Sequence, residues 1–465
     1  LLLTFIIIYL AITVAIGVWS TRLVKSSNDF VLAGRSLPLF LSASALFATW
    51  FGSETIFGAS SVYLEDGLQG VIEDPFGGAL CLVLFGMFYL RPMYRMGVLT
   101  IGDVFKRIFG KRIEFFASIF MIPAYFGYVA AQLVALSLVL GSITDLTLLE
   151  GILISSGIVV FYTFLGGMWA ISITDFIQTT MIVIGLLWVA IMVANEAGGI
   201  GEILSQAPEE SFQFFPDADA ISWINYFGAW IILGLGSIPS QDIYQRVMSS
   251  KSEKVAVQST YLAGGFYLTF GLLPLFIALG AKVLYPELYL ENQQMLLPTM
   301  ILAHGGLPIQ IVFFGALISA IMSTTSSGLL APAAIISENL IKPWFGERLK
   351  DKNLLWILRA NIVFVAIIAT LIATMESNIY DLVAGASILM LVSLFVPLTA
   401  GLYWKKASAT GSLLAMIIGM ISYLIADQLE PQIGSHIIGL VFSILAMIIG
   451  SYSFPTRTLQ NDELS

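Results

Sequence analysis

Residues 48–55 read Ala48-Thr49-Trp50-Phe51-Gly52-Ser53-Glu54-Thr55, in the middle of an apolar run over 38–63. Residues 234–242 read Gly234-Leu235-Gly236-Ser237-Ile238-Pro239-Ser240-Gln241-Asp242, inside another run over 222–247. Gly in both stretches, and Pro in the second, loosens a helix, and a carboxylate stands at or beside each loosened segment. Unwound backbone offers carbonyl oxygens to a cation and amides to an anion. Either stretch alone reads equally well as a Gly-rich packing face. Two of them, five spans apart, are the sequence pointer to an inverted-repeat transporter.

The surroundings fit a membrane. Of 465 residues, 58% are hydrophobic and only 11% charged, with a mean hydropathy of +0.91. A soluble domain is about a quarter charged, so most of this chain must face lipid. A span needs roughly 20 mostly apolar residues. Thirteen runs qualify, near 1–20, 38–63, 73–96, 113–142, 147–166, 171–195, 222–247, 255–284, 308–339, 353–375, 379–404, 408–427 and 433–454. The first lacks the basic front and cleavage pattern of a signal peptide. The tail after Phe454 is too short for a signalling domain. One cysteine, Cys81, excludes a disulfide framework, and the net charge of −9 argues against nucleic acid as a partner. No obligatory protein partner is evident.

The basic residues order the runs. Clusters such as Arg22/Lys25/Arg35, Arg91 to Arg112, Arg246/Lys251/Lys254 and Lys405/Lys406 each follow an odd-numbered run, and the 195–221 loop is acidic. Lys282 is the exception among the 21 Lys and Arg. The positive-inside rule places the N-terminus outside and the C-terminus in the cytoplasm.

Polar residues at depth are the candidate site. Ala320, Ser323, Thr324 and Ser327 share one face of the ninth run, and such hydroxyls suit either a hard cation or close helix packing. Asp175 opens the sixth run; it reads equally as a helix cap or as a working carboxylate, since an acid at depth costs about 2.5–3.5 kcal/mol. Glu54 and Asp74 are the other acids, and Trp50, Tyr125, Tyr128 and Trp230 are candidate cavity aromatics. With no basic residue expected at these depths, carboxylates and aromatics favour a cationic or zwitterionic solute.

Together these stretches resemble the sodium:solute symporter family over nearly the whole chain. Ser27-Asn28-Asp29-Phe30-Val31-Leu32-Ala33-Gly34-Arg35-Ser36-Leu37 is similar to its first cytoplasmic motif. Arg91-Pro92-Met93-Tyr94-Arg95 with Leu99-Thr100-Ile101-Gly102-Asp103 resembles its second cytoplasmic loop. The segment from Gly166 to Gln178 is similar to its fifth core helix, Gln245-Arg246 with Lys251-Ser252 to the stretch after the sixth, and Ala320-Ile321-Met322-Ser323-Thr324 to the eighth.

The resemblance implies an all-α integral membrane protein of LeuT type, one transporter domain over 1–465. It implies an extra helix at 1–20, inverted five-helix repeats at 38–195 and 222–404, and two further helices at 408–454. It implies Na+ as the coupling ion and a small organic solute carried by alternating access. A first sodium site would use Ala48, Phe51, Ala320, Ser323 and Thr324. A second would use Asp175, Ser326 and Ser327, sharing Ser323. The solute would meet Trp50, Glu54, Asp74, Tyr128, Ser240 and Asp242. Thr49-Trp50-Phe51-Gly52 and Ile238-Pro239-Ser240-Gln241 most resemble the high-affinity choline transporter branch, whose aromatic cage is half present. Trp50 and Tyr128 match it, while Ser240 and Gly78 replace aromatics. The alternatives are a symporter for a neutral or anionic solute such as a sugar or carboxylate, and, from other classes, a channel or a membrane sensor. A channel wants a continuous polar stripe or charged rings, where this chain has isolated clusters.

Overall fold

The computed structural model describes residues 1–455 except 292, 347, 348 and 377, so most of the tail lies outside the described residues. Helix is the dominant element, as lipid demands when backbone groups have no water to bond. The helices that carry the architecture are α1 (Leu2–Ser20), α2 (Leu39–Trp50), α3 (Ile72–Met96), α4 (Ile101–Phe109), α5 (Lys111–Ile143), α6 (Leu148–Glu196) and α7 (Ala220–Gly236). They continue as α8 (Gln241–Met248), α9 (Glu253–Leu284), α10 (Leu307–Phe345), α11 (Asp351–Ala373), α12 (Ile379–Tyr403), α13 (Ala409–Gln428) and α14 (Ser435–Ser453).

Among the described residues ten helices are long and apolar enough to cross a membrane, eleven with the bent pair α7–α8. The runs read at 147–166 and 171–195 fall within the 49-residue α6. At 1.5 Å per residue that is about 74 Å, more than twice the hydrocarbon core. A break at Gly167 (φ 51, ψ −142) divides it. A side chain there would meet the Phe30 carbonyl at 2.5 Å, so the close approach of the Ser27–Leu32 helix requires glycine.

Packing inverts the soluble pattern. α1 buries only Ile6, Thr13, Gly17 and Ser20 and turns Ile7, Ile8 and Ile12 outward. At the centre stands α10, buried without interruption from Phe313 to Ile335 and packed against α5 and α6. Its small hydroxyl residues let neighbouring backbones approach closely. The segment before α2 and the segment after α8 meet at a short parallel bridge. Leu37 N–H donates to Ser249 O and Lys251 N–H donates to Leu37 O, each at 3.0 Å. The two interrupted helices are thereby tied together at one end of the molecule.

Candidate functional site

Helix α2 stops at Trp50, and Phe51 takes φ −85, ψ 76, outside the helical region. Helical geometry resumes at Glu54 in a short wide turn, Glu54–Gly58, that leads into Ala59–Gly70. Breaking the ladder frees the last carbonyls of α2, and hydroxyls from three other helices meet three of them. Thr324 on α10 donates to Ala48 O at 3.3 Å and Tyr128 on α5 to Thr49 O at 3.0 Å, and the Tyr267 hydroxyl on α9 lies 3.0 Å from Trp50 O. Thr324 also reaches Ala320 O at 3.1 Å. The Thr324 oxygen thus lies between two of the three carbonyls expected at the first sodium site. Nothing is hydrogen-bonded to Phe51 O among the described contacts.

Gly52 makes this proximity possible. A Cβ there would meet Glu54 Oε2 at 2.6 Å, Thr324 Oγ1 at 2.8 Å and Gln132 Oε1 at 2.9 Å. Gln132 spans the break: its Oε1 accepts from Ser53 N–H at 3.0 Å and its Nε2 donates to Glu54 Oε2 at 2.7 Å. The sequence reading missed Gln132, although it shares a helix face with Tyr125 and Tyr128 at i, i+3 and i+7.

Beside the break lies a narrow cavity of about 40 Å³. Of the residues singled out in the sequence, Trp50, Glu54, Tyr125, Tyr128, Ser240 and Asp242 line it, together with Ser237, Tyr267 and Ser387. Asp242 follows the kink between α7 and α8, which bends by 48°. Its two oxygens are held by Trp50 Nε1–H at 3.1 Å and the Tyr125 hydroxyl at 2.7 Å. Tyr125 in turn accepts from the Gln241 and Asp242 amides at 2.7 and 3.1 Å, so one phenol fixes the start of α8. Among the described residues, no Lys or Arg lines this cavity.

Asp74 is not in the cavity wall. Its oxygens accept from Thr55 at 2.8 Å and from Tyr267 at 2.6 Å, which places it behind Tyr267 as a support. Trp230 also stands apart, packed with Phe76 and Phe214.

A second oxygen cluster lies one helix face away. Ser323 Oγ–H donates to Asp175 Oδ1 at 2.5 Å, and Asp175 is fully buried. Asp175 sits well inside α6, eight residues beyond the Gly167 break, so it is not a helix cap. The Ser326 and Ser327 hydroxyls donate back to Ser323 O at 2.9 and 2.8 Å. The expectation of no basic residue at depth is overturned here. Arg246 is fully buried, and its Nη2–H donates to Ser327 Oγ. In sequence it stands among the cationic residues after the seventh run, and charge alone gives no sign that its side chain turns inward.

Residues 30–419 match the sodium:solute symporter family model. The chain belongs to the sodium:solute symporter family. It is therefore a sodium-coupled solute symporter and a multi-pass membrane protein. Among curated proteins it is 32% identical to high-affinity choline transporter 1 of Drosophila melanogaster, covering 89% of this chain and 69% of that one. It is 28% identical to the same transporter of Homo sapiens, covering 89% and 75%. Among solved structures, a Na+-coupled sialic acid symporter in a substrate-bound outward-open state superposes with a TM-score of 0.86. That match covers 99% of both chains at 20% identity. The likeness to that symporter is one of fold, and it extends over the whole sodium:solute symporter architecture of this chain.

Proposed function

We propose that this symporter takes up a small cationic or zwitterionic amine of choline-like size into the cell, without altering it chemically. The observation that carries this reading is the cavity at the two helix breaks. It presents the carboxylates Glu54 and Asp242 with Trp50, Tyr125, Tyr128 and Tyr267, and, among the described residues, no basic side chain. Carboxylates pair with an ammonium group and aromatic faces attract it. The names of the Drosophila and human relatives support the same class.

The first sodium ion is held by the Ala48, Phe51 and Ala320 carbonyls and the Ser323 and Thr324 hydroxyls, oxygen ligands of the kind a hard cation prefers. Asp175, Ser326 and Ser327, with Ser323, form a second cation set. Trp50, Glu54, Tyr128, Ser240 and Asp242 contact the solute, and Asp74 acts through Tyr267. Sodium draws α2 and α10 together and so orders the solute cavity; the outer path closes, the bundle rocks, and both cargoes leave inside.

The working topology is thirteen spans. Ten helices qualify singly; the bent pair α7–α8 adds one, the divided α6 counts twice, and α2 with Glu54–Gly70 makes the last. Residues 1–20 precede the repeats 38–195 and 222–404, and 408–454 follow them. The N-terminus is outside and the C-terminus cytoplasmic, by the distribution of Lys and Arg. The test is uptake of labelled choline, a neutral sugar, an amino acid and a carboxylate into proteoliposomes under an inward sodium gradient. Sodium-dependent uptake of the sugar or carboxylate with none of the amine would overturn the solute class.

A further inference from the structure

Arg246 is a cation buried deep in a protein that uses cations as cargo, and the solute mechanism leaves it without a role. It lies one helical turn beyond Asp242, yet both Asp242 oxygens are taken by Trp50 and Tyr125. No ion pair joins Arg246 to a carboxylate among the described residues, and its Nε and Nη1 have no hydrogen-bond partner there. Burying an uncompensated charge is costly, so its counter-charge has to be near. The route is short. Arg246 Nη2–H donates to Ser327 Oγ; Ser327 Oγ–H donates to Ser323 O; Ser323 Oγ–H donates to Asp175 Oδ1. Asp175 Oδ2 has no partner among the described residues. One guanidinium and one carboxylate, linked through two serines of α10, make an electrically neutral cluster.

We propose that the Arg246 guanidinium is the resident cation of the second oxygen set, so that this chain binds and moves one sodium ion per solute. The inference rests on the assignment of Asp175, Ser323, Ser326 and Ser327 as a cation set. Three observations favour it. Ser327 Oγ accepts from Arg246, donates to Ser323 O and also meets Thr49 Oγ1 at 3.4 Å, so its hydrogen-bonding capacity is already engaged. A sodium ion added beside Asp175 would give the buried cluster a net positive charge, against the repulsion of a fixed neighbour. The first site shares Ser323 with this cluster but is completed by the Thr324 hydroxyl, 3.3 Å from Ala48 O and 3.1 Å from Ala320 O, on the side away from Asp175 and Arg246 as their contacts run through Ser323 and Ser327.

The experiment is equilibrium binding of radiolabelled sodium to the purified full-length chain, with no solute present. Wild type is expected to bind one ion per chain and Arg246→Gln two. The double variant Arg246→Gln with Asp175→Asn is expected to return to one. Two ions on wild type would overturn the proposal whether or not the variants fold, and so would one ion on a folded Arg246→Gln protein. Thr324→Ala serves as the separate check on the underlying assignment. It should weaken the single wild-type site at least about tenfold. If it leaves sodium binding unchanged, the first-site reading falls, while the ion count still judges Arg246. No sodium bound to wild type at all would overturn both.

Discussion

Replacing Thr324 by Ala tests the joint between the broken helix α2 and the central helix α10. Its hydroxyl is 3.3 Å from Ala48 O and 3.1 Å from Ala320 O, and a Cβ on Gly52 would lie only 2.8 Å from it. With sodium bound, that oxygen serves as one of five proposed ligands; without sodium, it bridges the two helices by hydrogen bonds. Alanine removes the ligand and leaves the carbonyls facing each other. A hydrogen bond to a charged group contributes about 1.5–3 kcal/mol, which we take as the scale for one neutral oxygen ligand. Each 1.4 kcal/mol is tenfold, so the sodium concentration for half-maximal uptake should rise roughly ten- to 150-fold. The assay is initial solute uptake into proteoliposomes against external sodium, at clamped potential and saturating solute. Thr324→Ser keeps the oxygen and should stay within about threefold of wild type. Thr325→Ala is the control. Its hydroxyl only bonds back to Ile321 O at 2.6 Å, and its loss should leave the sodium dependence alone. A Thr324→Ala protein with wild-type sodium dependence would refute the ligand assignment.

Three further outcomes follow from the cavity. Asp242→Asn removes the charge that Trp50 and Tyr125 hold in place and should raise the apparent KM for a cationic amine about tenfold or more, the scale of a charged hydrogen bond; equal losses for amine and neutral solutes would count against charge pairing. Gly52→Ala places a methyl against Glu54, Thr324 and Gln132 at 2.6–2.9 Å. It should abolish transport in protein that still elutes as a monodisperse species, and a maximal rate within twofold of wild type would contradict the packing. Tyr267→Phe and Asp74→Asn should act alike, because the two groups are bonded at 2.6 Å. Both are expected to slow uptake while preserving the preference among amines, and a change of preference in Asp74→Asn alone would place Asp74 in the cavity after all.

Much of this was legible in the sequence for identifiable reasons. Apolar run length gave the helices because lipid leaves the backbone few options, and Gly52 and Pro239 announced the two breaks. The i, i+3, i+4, i+7 spacing of Ala320, Ser323, Thr324 and Ser327 gave a face, and the structure puts Thr324 of that face against Ala48. What spacing could not give was direction across helices. Asp74 resembles a cavity acid in sequence, yet Tyr267 and Thr55 occupy both its oxygens. Gln132 was hidden in an apolar run because one polar residue there carries no pattern of its own. Runs 147–166 and 171–195 join in one long helix because the Gly167 break is a single residue in length. Arg246 was the hardest to place. A cation near a membrane boundary satisfies the topology rule equally well whether its side chain reaches water or turns inward.

Arg246 also sets how much work the transporter can do. One charge moving through 100 mV supplies about 2.3 kcal/mol, and a tenfold sodium gradient adds about 1.4 kcal/mol. One ion therefore supports a several-hundredfold concentration of a neutral solute, and two ions roughly 10⁵-fold. For a cationic amine the solute's own charge gains the same 2.3 kcal/mol. A single sodium ion then brings the total to about 6 kcal/mol, most of the way to what two ions give a neutral cargo. An acidic, aromatic cavity and an internal cation in the second set are thus consistent with each other. A protein whose cargo carries positive charge inward has less need of a second ion, and Arg246 supplies the charge that Asp175 would otherwise require. Measuring reversal potentials with a cationic and a zwitterionic solute separates the two contributions. With one sodium ion, net charge per cycle should be two for the cation and one for the zwitterion, and values of three and two would mean that a second sodium ion travels despite Arg246.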